Sequence, residues 1–349
     1  MADDPSRVLF SASPDYFRAA EQDLLELFGA DRRPEIRRLA PDLGRVSAPG
    51  LRLDELAHAC RTRPLPFIRH LTTERAELPV AIAADLDAVG AHIRRVATEL
   101  GVGELAVQVW TTGSNPLPYG TADLARHSMK VLAELGISSG RANMSHTLSL
   151  CVVADGLLIG AAATVDQLSD WPGGRIRLAR HADQISRAEF KLEEAFQILD
   201  ITAPENGTAL DLGASPGGWT KVLRRYGLEV WAVDPADLDP RLARDRGVRH
   251  LRMTAGEFFR QHRREFDVVV DDMKMAPELS CKIMNDAARA LRPGGLAIVT
   301  LKLSPNKPTR TVRHCLDLLD GKYRLIAARQ LQHNRHEVTV VAQRRRRSN

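Results

Sequence analysis

Apolar and polar positions alternate along this chain in two regimes, and the change between them falls near residue 170. In the first, "RVLFSAS" (7–13) reads as a strand and "DYFRAAEQDLLELFG" (15–29) as an amphipathic helix stopped by glycine. "EIRRLA" (35–40) and "LGRVSA" (43–48) follow as short strands, "LRLDELAHACRT" (51–62) as a helix and "FIRHLTTERAEL" (67–78) as a strand. That β-α-β-β-α-β order is the ferredoxin-like pattern. A second unit predicts a helix over 85–101, a strand over 104–112 and a helix over 121–136. Two strands close it, 146–155 and 156–165, joined at Asp155-Gly156.

The stretch "SDWPGGRIRLARHADQ" (169–184) interrupts this pattern, because Trp-Pro-Gly-Gly is a stop signal. Beyond it, seven strands are expected: "TALDLG", "EVWAVD", "VRHLRM", "FDVVVDDM", "GGLAIVTLKL", "YRLIAARQL" and "EVTVVAQRR". Helical segments separate the first six, and a short polar turn joins the last two. Such alternation predicts a doubly wound, mostly parallel α/β sheet with an antiparallel hairpin at its edge.

Composition narrows the class. A chain of 349 residues with 44% apolar positions supports two or three domains. No stretch reaches the ~18 uninterrupted apolar residues of a membrane span. The acidic start "MADDPSRVLF" lacks the basic-then-apolar order of a secretory signal. Cys60, Cys151, Cys281 and Cys315 stand far apart with no CxxC pair, and the eleven histidines show no metal-ligand spacing. The expectation is a cytoplasmic protein without membrane or metal. Charge is uneven: residues 1–180 carry 20 basic and 22 acidic side chains, the remainder 29 and 22, ending in "RRRRSN". A basic half predicts a polyanionic partner. Only 5% of residues are aromatic, so extended base stacking is not the expected mode of binding.

The run "ALDLGASPGGWTKVL" (209–223) carries the candidate chemistry. Glycine costs roughly 1 kcal/mol per helical position, yet three stand between the first strand and its helix. Gly213, Gly217 and Gly218 would let backbone approach a ligand where a Cβ collides. Asp234 ends the second strand, 21 residues beyond Gly213, where an acid meets ribose hydroxyls. The run fits neither G-x-G-x-x-G nor G-K-[ST]. Pro216 removes an N–H donor from the tip. A nucleoside ligand without phosphates, S-adenosylmethionine, fits these features.

"DLGASPGGWT" resembles the methyl-donor loop of FtsJ-type RNA ribose 2′-O-methyltransferases, and "SRAEFKLEEAF", "VVVDDM", "TLKL" and "ARQLQHNRHEVTV" continue the likeness in order. Within that family the chain resembles the bacterial 23S rRNA (cytidine-2′-O)-methyltransferases. The likeness is strong over roughly 181–345 and thin before that. The resemblance implies a Rossmann-like class I methyltransferase domain over 186–349, a linker over 169–185, a THUMP-like RNA-binding module over 81–168 and a ferredoxin-like module over 1–80. It implies that Asp211, Gly213, Ala214, Ser215, Pro216, Gly217, Gly218, Trp219, Asp234 and Asp272 hold the donor, although Trp219 also reads as a packing residue. It implies a catalytic tetrad of Lys191, Asp272, Lys302 and Glu337 acting on RNA, with Lys302 as base and Asp272 orienting it.

One departure concerns the adenine contact. Thr254 and Ala255 stand where the family offers an acid, with Glu257 a substitute. Ser186 and Glu189 read as a capping box, and Asp271 as a structural acid facing away from Asp272. Another RNA such as tRNA, a non-RNA acceptor, or a silent RNA-binding protein are the competing expectations.

Overall fold

The computed structural model describes residues 6–28, 33–199, 201–304 and 306–346. The acidic start 1–5, the stop glycine Gly29, Arg32 and the tail from Arg347 to Asn349 lie outside the described residues. The chain forms two compact units, Met1–Ile176 and Arg177–Asn349.

The N-terminal unit runs β1 (Ser6–Ser11), α1 (Phe17–Phe28), β2 (Glu35–Ala40), β3 (Leu43–Ala48), α2 (Leu53–Thr62), β4 (His70–Pro79), α3 (Val80–Ala83), α4 (Leu86–Leu100), β5 (Glu104–Thr111), α5 (Thr121–Glu134), β6 (Ser138–Gly140), β7 (His146–Val153) and β8 (Gly156–Ala163). Among the described residues, the short α3 and β6 and the 3-10 turns Thr164–Asp166 and Pro172–Gly174 were not expected from the sequence. Local signals explain the boundaries. In α4 the Asp85 carboxylate caps the first turn by accepting from Asp87 N, and Gly101 ends the helix at a φ of 62°. Its Val89, Ile93, Val96 and Ala97 share one buried face.

These strands make one eight-stranded sheet in the order β2-β3-β1-β4-β8-β7-β5-β6. Strand β4 belongs to both halves: His70–Thr73 pair with β1, and Thr73–Pro79 with β8. The division expected at residue 80 therefore falls at the end of a strand bonded to both sides. The first part of the expected boundary segment, through Ile176, also folds into this unit. Ser11 Oγ donates to the Gly173 carbonyl at 2.7 Å, and Arg175 Nη1 donates to the Thr111 carbonyl at 2.7 Å.

The C-terminal unit runs α6 (Ala188–Ile198), β9 (Thr208–Leu212), α7 (Gly218–Arg225), β10 (Glu229–Val233), α8 (Pro240–Ala243), β11 (Val248–Leu251), α9 (Ala255–Gln261), β12 (Phe266–Asp271), α10 (Pro277–Ala287), β13 (Leu291–Lys302), α11 (Pro308–Asp320), β14 (Tyr323–Arg329) and β15 (Glu337–Arg344). All seven expected strands are present, in the order β11-β10-β9-β12-β13-β15-β14. The first five in that order are parallel, and β15 runs antiparallel between β13 and β14. On one face Ala209, Val230, Val268 and Ile298 pack with Leu192 and Phe196 of α6 and Val222 and Leu223 of α7. The alternate positions Leu210, Val269 and Val299 are buried as well, so both faces are covered. The chain winds outward from β9 to β11 and returns on the other side at β12. That reversal opens a crevice at the carboxyl ends of β9 and β12.

Candidate active site

A cleft of about 570 Å³ lies at this switch point, lined by Gly213, Ser215, Asp234, Thr254, Asp272 and Met273 together with further residues of the same loops. Asp234 is fixed by backbone: its Oδ2 accepts from Ser215 N at 3.0 Å and its Oδ1 from Ala236 N at 2.8 Å. Each oxygen keeps acceptor capacity for a hydroxyl. Met253, Met273, Met275 and Ile283 supply an apolar wall. The lining carries two carboxylates, Asp234 and Asp272, and one lysine, Lys274. An apolar cleft with the Asp234 carboxylate at one end fits a nucleoside sulfonium better than a phosphate.

The glycines of the loop act differently from one another. Gly213, at a φ of 72°, lines the cleft, and a Cβ there would meet Met273 Cγ at 2.2 Å. A Cβ at Gly217, whose φ is 113°, would meet Leu242 Cδ1 at 2.1 Å, and one at Gly218 would meet Ser186 Oγ at 2.2 Å. The space these two leave open is filled by protein, so they serve the packing of the loop on α8 and the approach to α6. Trp219 likewise sits in the core and donates from Nε1 to the Ala188 carbonyl at 2.8 Å. Ala214 is buried against Ala232, Leu238 and Leu242. Pro216 offers its carbonyl to Asp239 N at 2.9 Å. Asp211 is buried beneath the loop, where its Oδ2 accepts from Thr220 Oγ1 at 2.6 Å.

Four side chains distant in sequence meet at the edge of the cleft. Lys191 comes from α6, Asp272 follows β12, Lys302 ends β13 and Glu337 opens β15, directly opposite Lys302 in the register. They close a ring of alternating charge. Lys191 Nζ donates to Asp272 Oδ2 at 3.1 Å and to Glu337 Oε2 at 2.7 Å. Lys302 Nζ touches Asp272 Oδ1 and lies 3.2 Å from Glu337 Oε1. All four side chains are only 15–18% exposed. Thr300 is a fifth member: its Oγ1 donates to Asp272 Oδ1 at 2.6 Å and accepts from Lys302 Nζ at 2.6 Å. It stands two residues before Lys302 on the same face of β13. That period-two relation was available in "TLKL".

Burial works against the charge of Lys191, but the Asp272 and Glu337 carboxylates outweigh it and raise its pKa. Two acids behind the cleft behave oppositely. Desolvation pushes Asp211 and Asp271 up to about 7. Asp271 is fully buried, its Oδ1 accepting from Met273 N at 2.8 Å, as expected for an acid on the other side of the strand from Asp272. Glu257 takes no part in the cleft: its Oε2 accepts from Thr254 N at 2.8 Å and Thr254 Oγ1 at 2.7 Å, a capping box that starts α9. Glu189 also accepts from Ser186 N at 3.2 Å, but the Ser186 hydroxyl accepts from Ala188 N at 3.3 Å, so the capping box expected from Ser186 and Glu189 is only half formed. The methionine wall escaped the sequence reading, because apolar residues after strands carry no signal that separates a binding wall from core.

Among the described residues no group of three or more His, Cys, Asp or Glu side chains could hold a metal ion. No described helix is long and apolar enough to cross a membrane.

A seven-stranded 3-2-1-4-5-7-6 sheet with a nucleoside-sized cleft at its switch point defines a Rossmann-like class I methyltransferase, for which S-adenosylmethionine is the methyl donor. The FtsJ-like methyltransferase family matches residues 184–344. "Ribosomal RNA large subunit methyltransferase M" of Alkalilimnicola ehrlichii is 33% identical over 340 residues, covering 90% of this chain and 91% of its own. The protein of the same name from Halorhodospira halophila is 41% identical over 182 residues, covering 50% of this chain and 51% of its own. The chain belongs to the FtsJ-like methyltransferases, in the family of the large-subunit ribosomal RNA methyltransferase M proteins.

Proposed function

We propose that this enzyme methylates a ribose 2′-hydroxyl of ribosomal RNA in the cytoplasm, with a cytidine of 23S rRNA as target. The observation that carries the reading is the closed ring of Lys191, Asp272, Lys302 and Glu337 beside the donor cleft. Gly213, Ser215 and Asp234 would hold the donor, with Asp272 shared between cleft and ring. When bound, S-adenosylmethionine would supply a methyl group transferable to the 2′-oxygen, with sulfur keeping the electron pair of the broken C–S bond. The hydroxyl proton goes to Lys302 Nζ.

The three contacts of Lys302, to Asp272, Thr300 and Glu337, use all three donors of an ammonium. Accepting a proton requires the amine form with one contact surrendered, and the Glu337 contact, at 3.2 Å, is the longest. Asp272 and Thr300 then keep the amine aimed. Lys191 stays cationic between both carboxylates and holds them in place. Much of the remaining catalysis is positioning.

RNA as acceptor is supported by the surface at the opposite end of β13 and β15. Lys322, Arg324, Arg345 and Arg346 are exposed there around two adjoining shallow depressions. Six residues of strand separate this end from the tetrad, about 20 Å at ~3.3 Å per residue. We place phosphates of the substrate there. Lys322→Ala with Arg346→Ala is expected to raise the KM for rRNA and to lower the slope of log K against log salt by about one to two. An unchanged slope would remove this surface from the RNA path.

The reading itself is tested by labelled methyl transfer to 23S rRNA, followed by mapping of the label. Label on the 2′-oxygen of a cytidine is expected. Label on a base, or transfer only to tRNA or to a protein, would replace it.

A further inference from the structure

Helix α6 carries more of this site than its lysine. Glu194 lies three residues after Lys191, on an adjacent position of the same helix. Its side chain is 3% exposed, and it is fully engaged with the loop between β14 and β15. Oε1 accepts from Gln332 N at 2.6 Å, and Oε2 accepts from His333 N at 2.8 Å and lies 2.8 Å from His333 Nδ1. One turn earlier, the Phe190 ring stacks on His333 at 5.0 Å. The clamped segment is short and leads straight to Glu337. Within it Asn334 Oδ1 accepts from Leu331 N at 2.8 Å and from Thr339 Oγ1 at 3.1 Å. Asn334 Nδ2 donates to Glu337 Oε2 at 3.4 Å, and the His336 carbonyl accepts from Leu303 N at 2.7 Å.

We infer that Glu194 is a positioning residue for methyl transfer: its carboxylate fastens the β14–β15 loop to α6 and thereby holds Glu337 against Lys191. The chemistry of the clamp explains why an acid stands there. A carboxylate offers acceptors on both oxygens, and this loop presents two backbone N–H groups and a ring nitrogen to one point. An apolar side chain would leave those half-buried N–H groups unpaired, at a cost large enough to move the loop. An amide could satisfy only part of the set. Since Lys191 and Glu194 ride on one rigid helix, the clamp fixes the distance between Lys191 and the first residue of β15. The strand register then carries that placement to Lys302.

This inference rests on the tetrad reading, so its test includes a measurement that needs no RNA. In Glu194→Ala, Glu337 is expected to drift from Lys191. Lys191, raised in part by that carboxylate, should then titrate at lower pH by NMR of its labelled Nζ, with S-adenosylmethionine affinity within about twofold of wild type. Turnover should fall about 10- to 100-fold, and Glu194→Gln, which keeps one acceptor, should recover part of the loss. In a Glu337→Ala background, Glu194→Ala should add no further loss of kcat, because the two changes act through one link. An unmoved Lys191 titration in a folded Glu194→Gln or Glu194→Ala protein overturns the inference. So do additive losses of kcat in the double variant. Failure of the ribose reading would appear separately, as wild-type protein that leaves no label on ribose.

Discussion

Lys302→Ala is expected to lower kcat for methyl transfer by about 10²–10⁴-fold, the range of a general base, while S-adenosylmethionine binds within a few-fold of wild type. The separation follows from geometry. Lys302 contacts Asp272, Thr300 and Glu337 and does not line the donor cleft. Its loss removes the proposed proton acceptor but leaves Asp272 paired with Lys191 and the Asp234 end of the cleft intact. Gly217→Val is the contrast. Its side chain would be driven into Leu242 at a φ of 113°, which suits glycine, and the whole donor loop must shift. Affinity for the donor and activity should therefore fall together, with a lower melting temperature. Calorimetric titration of the donor and single-turnover methylation on each variant read both quantities. A Lys302→Ala enzyme turning over near the wild-type rate would take the base assignment away from this lysine.

The contrast also shows which parts of the site the sequence could carry. Seven strand patterns after residue 200 were legible because each is a short apolar run bounded by turn residues, and alternation with helices leaves few topologies. The donor loop was legible as an unusual density of glycine, but the reason for each glycine was not. Gly217 and Gly218 answer to Leu242 and Ser186, partners that come from other segments of the chain. The tetrad residues are spread from 191 to 337, and the strand order together with the packing of α6 on the sheet brings them together. Family resemblance named them, and the register of β13 with β15 supplies the physical link between Lys302 and Glu337. Glu257 illustrates the opposite case. An acid near the adenine end was a reasonable expectation, yet a threonine three residues earlier turned it into a helix cap. That pairing is local in sequence and could have been read. Glu194 could not: its partners are backbone N–H groups 138 and 139 residues away, and backbone donors leave no mark in a sequence.

In the N-terminal half the period-two and helical patterns were equally clear, but they did not reveal that two patterns share one sheet. The ten-residue β4 is long enough to pair with β1 along its first part and β8 along its second. Nothing in "HLTTERAELP" (70–79) distinguishes a strand with one neighbour from one that bridges two halves. Its charges are explained only by the sheet: Arg45 of β3 lies 2.7 Å from Glu74 and 2.7 Å from Glu77, with Arg45 and Glu74 buried and Glu77 half-exposed. Other arginines on this unit serve it internally too, with Arg61 donating to the Gln167 carbonyl at 2.9 Å and Arg69 9% exposed.

Replacing the target nucleotide by its 2′-deoxy analogue is expected to abolish methyl transfer while changing RNA affinity little. In the proposed mechanism Lys302 accepts the hydroxyl proton, so a substrate without that hydroxyl lacks both nucleophile and proton. Binding is governed elsewhere. Phosphate contacts supply most of the affinity of a basic surface and are blind to one missing hydroxyl, and Lys322, Arg324, Arg345 and Arg346 stand at the far end of the strands. A base-directed enzyme would behave differently, because its acceptor is a ring atom that deoxyribose leaves in place. The 2′-hydroxyl is also the group by which a protein distinguishes RNA from DNA at one position, so a modest loss of affinity confined to that contact is compatible with the reading. The measurement is paired: equilibrium binding of the two RNAs, and single-turnover methylation of each with labelled donor. Equal binding with no label on the deoxy substrate is the expected result. Label at the ordinary rate would mean that the chemistry is aimed at the base. The donor cleft would keep its role, but the ring of Lys191, Asp272, Lys302 and Glu337 would then have to be orienting a nucleophile that needs no base.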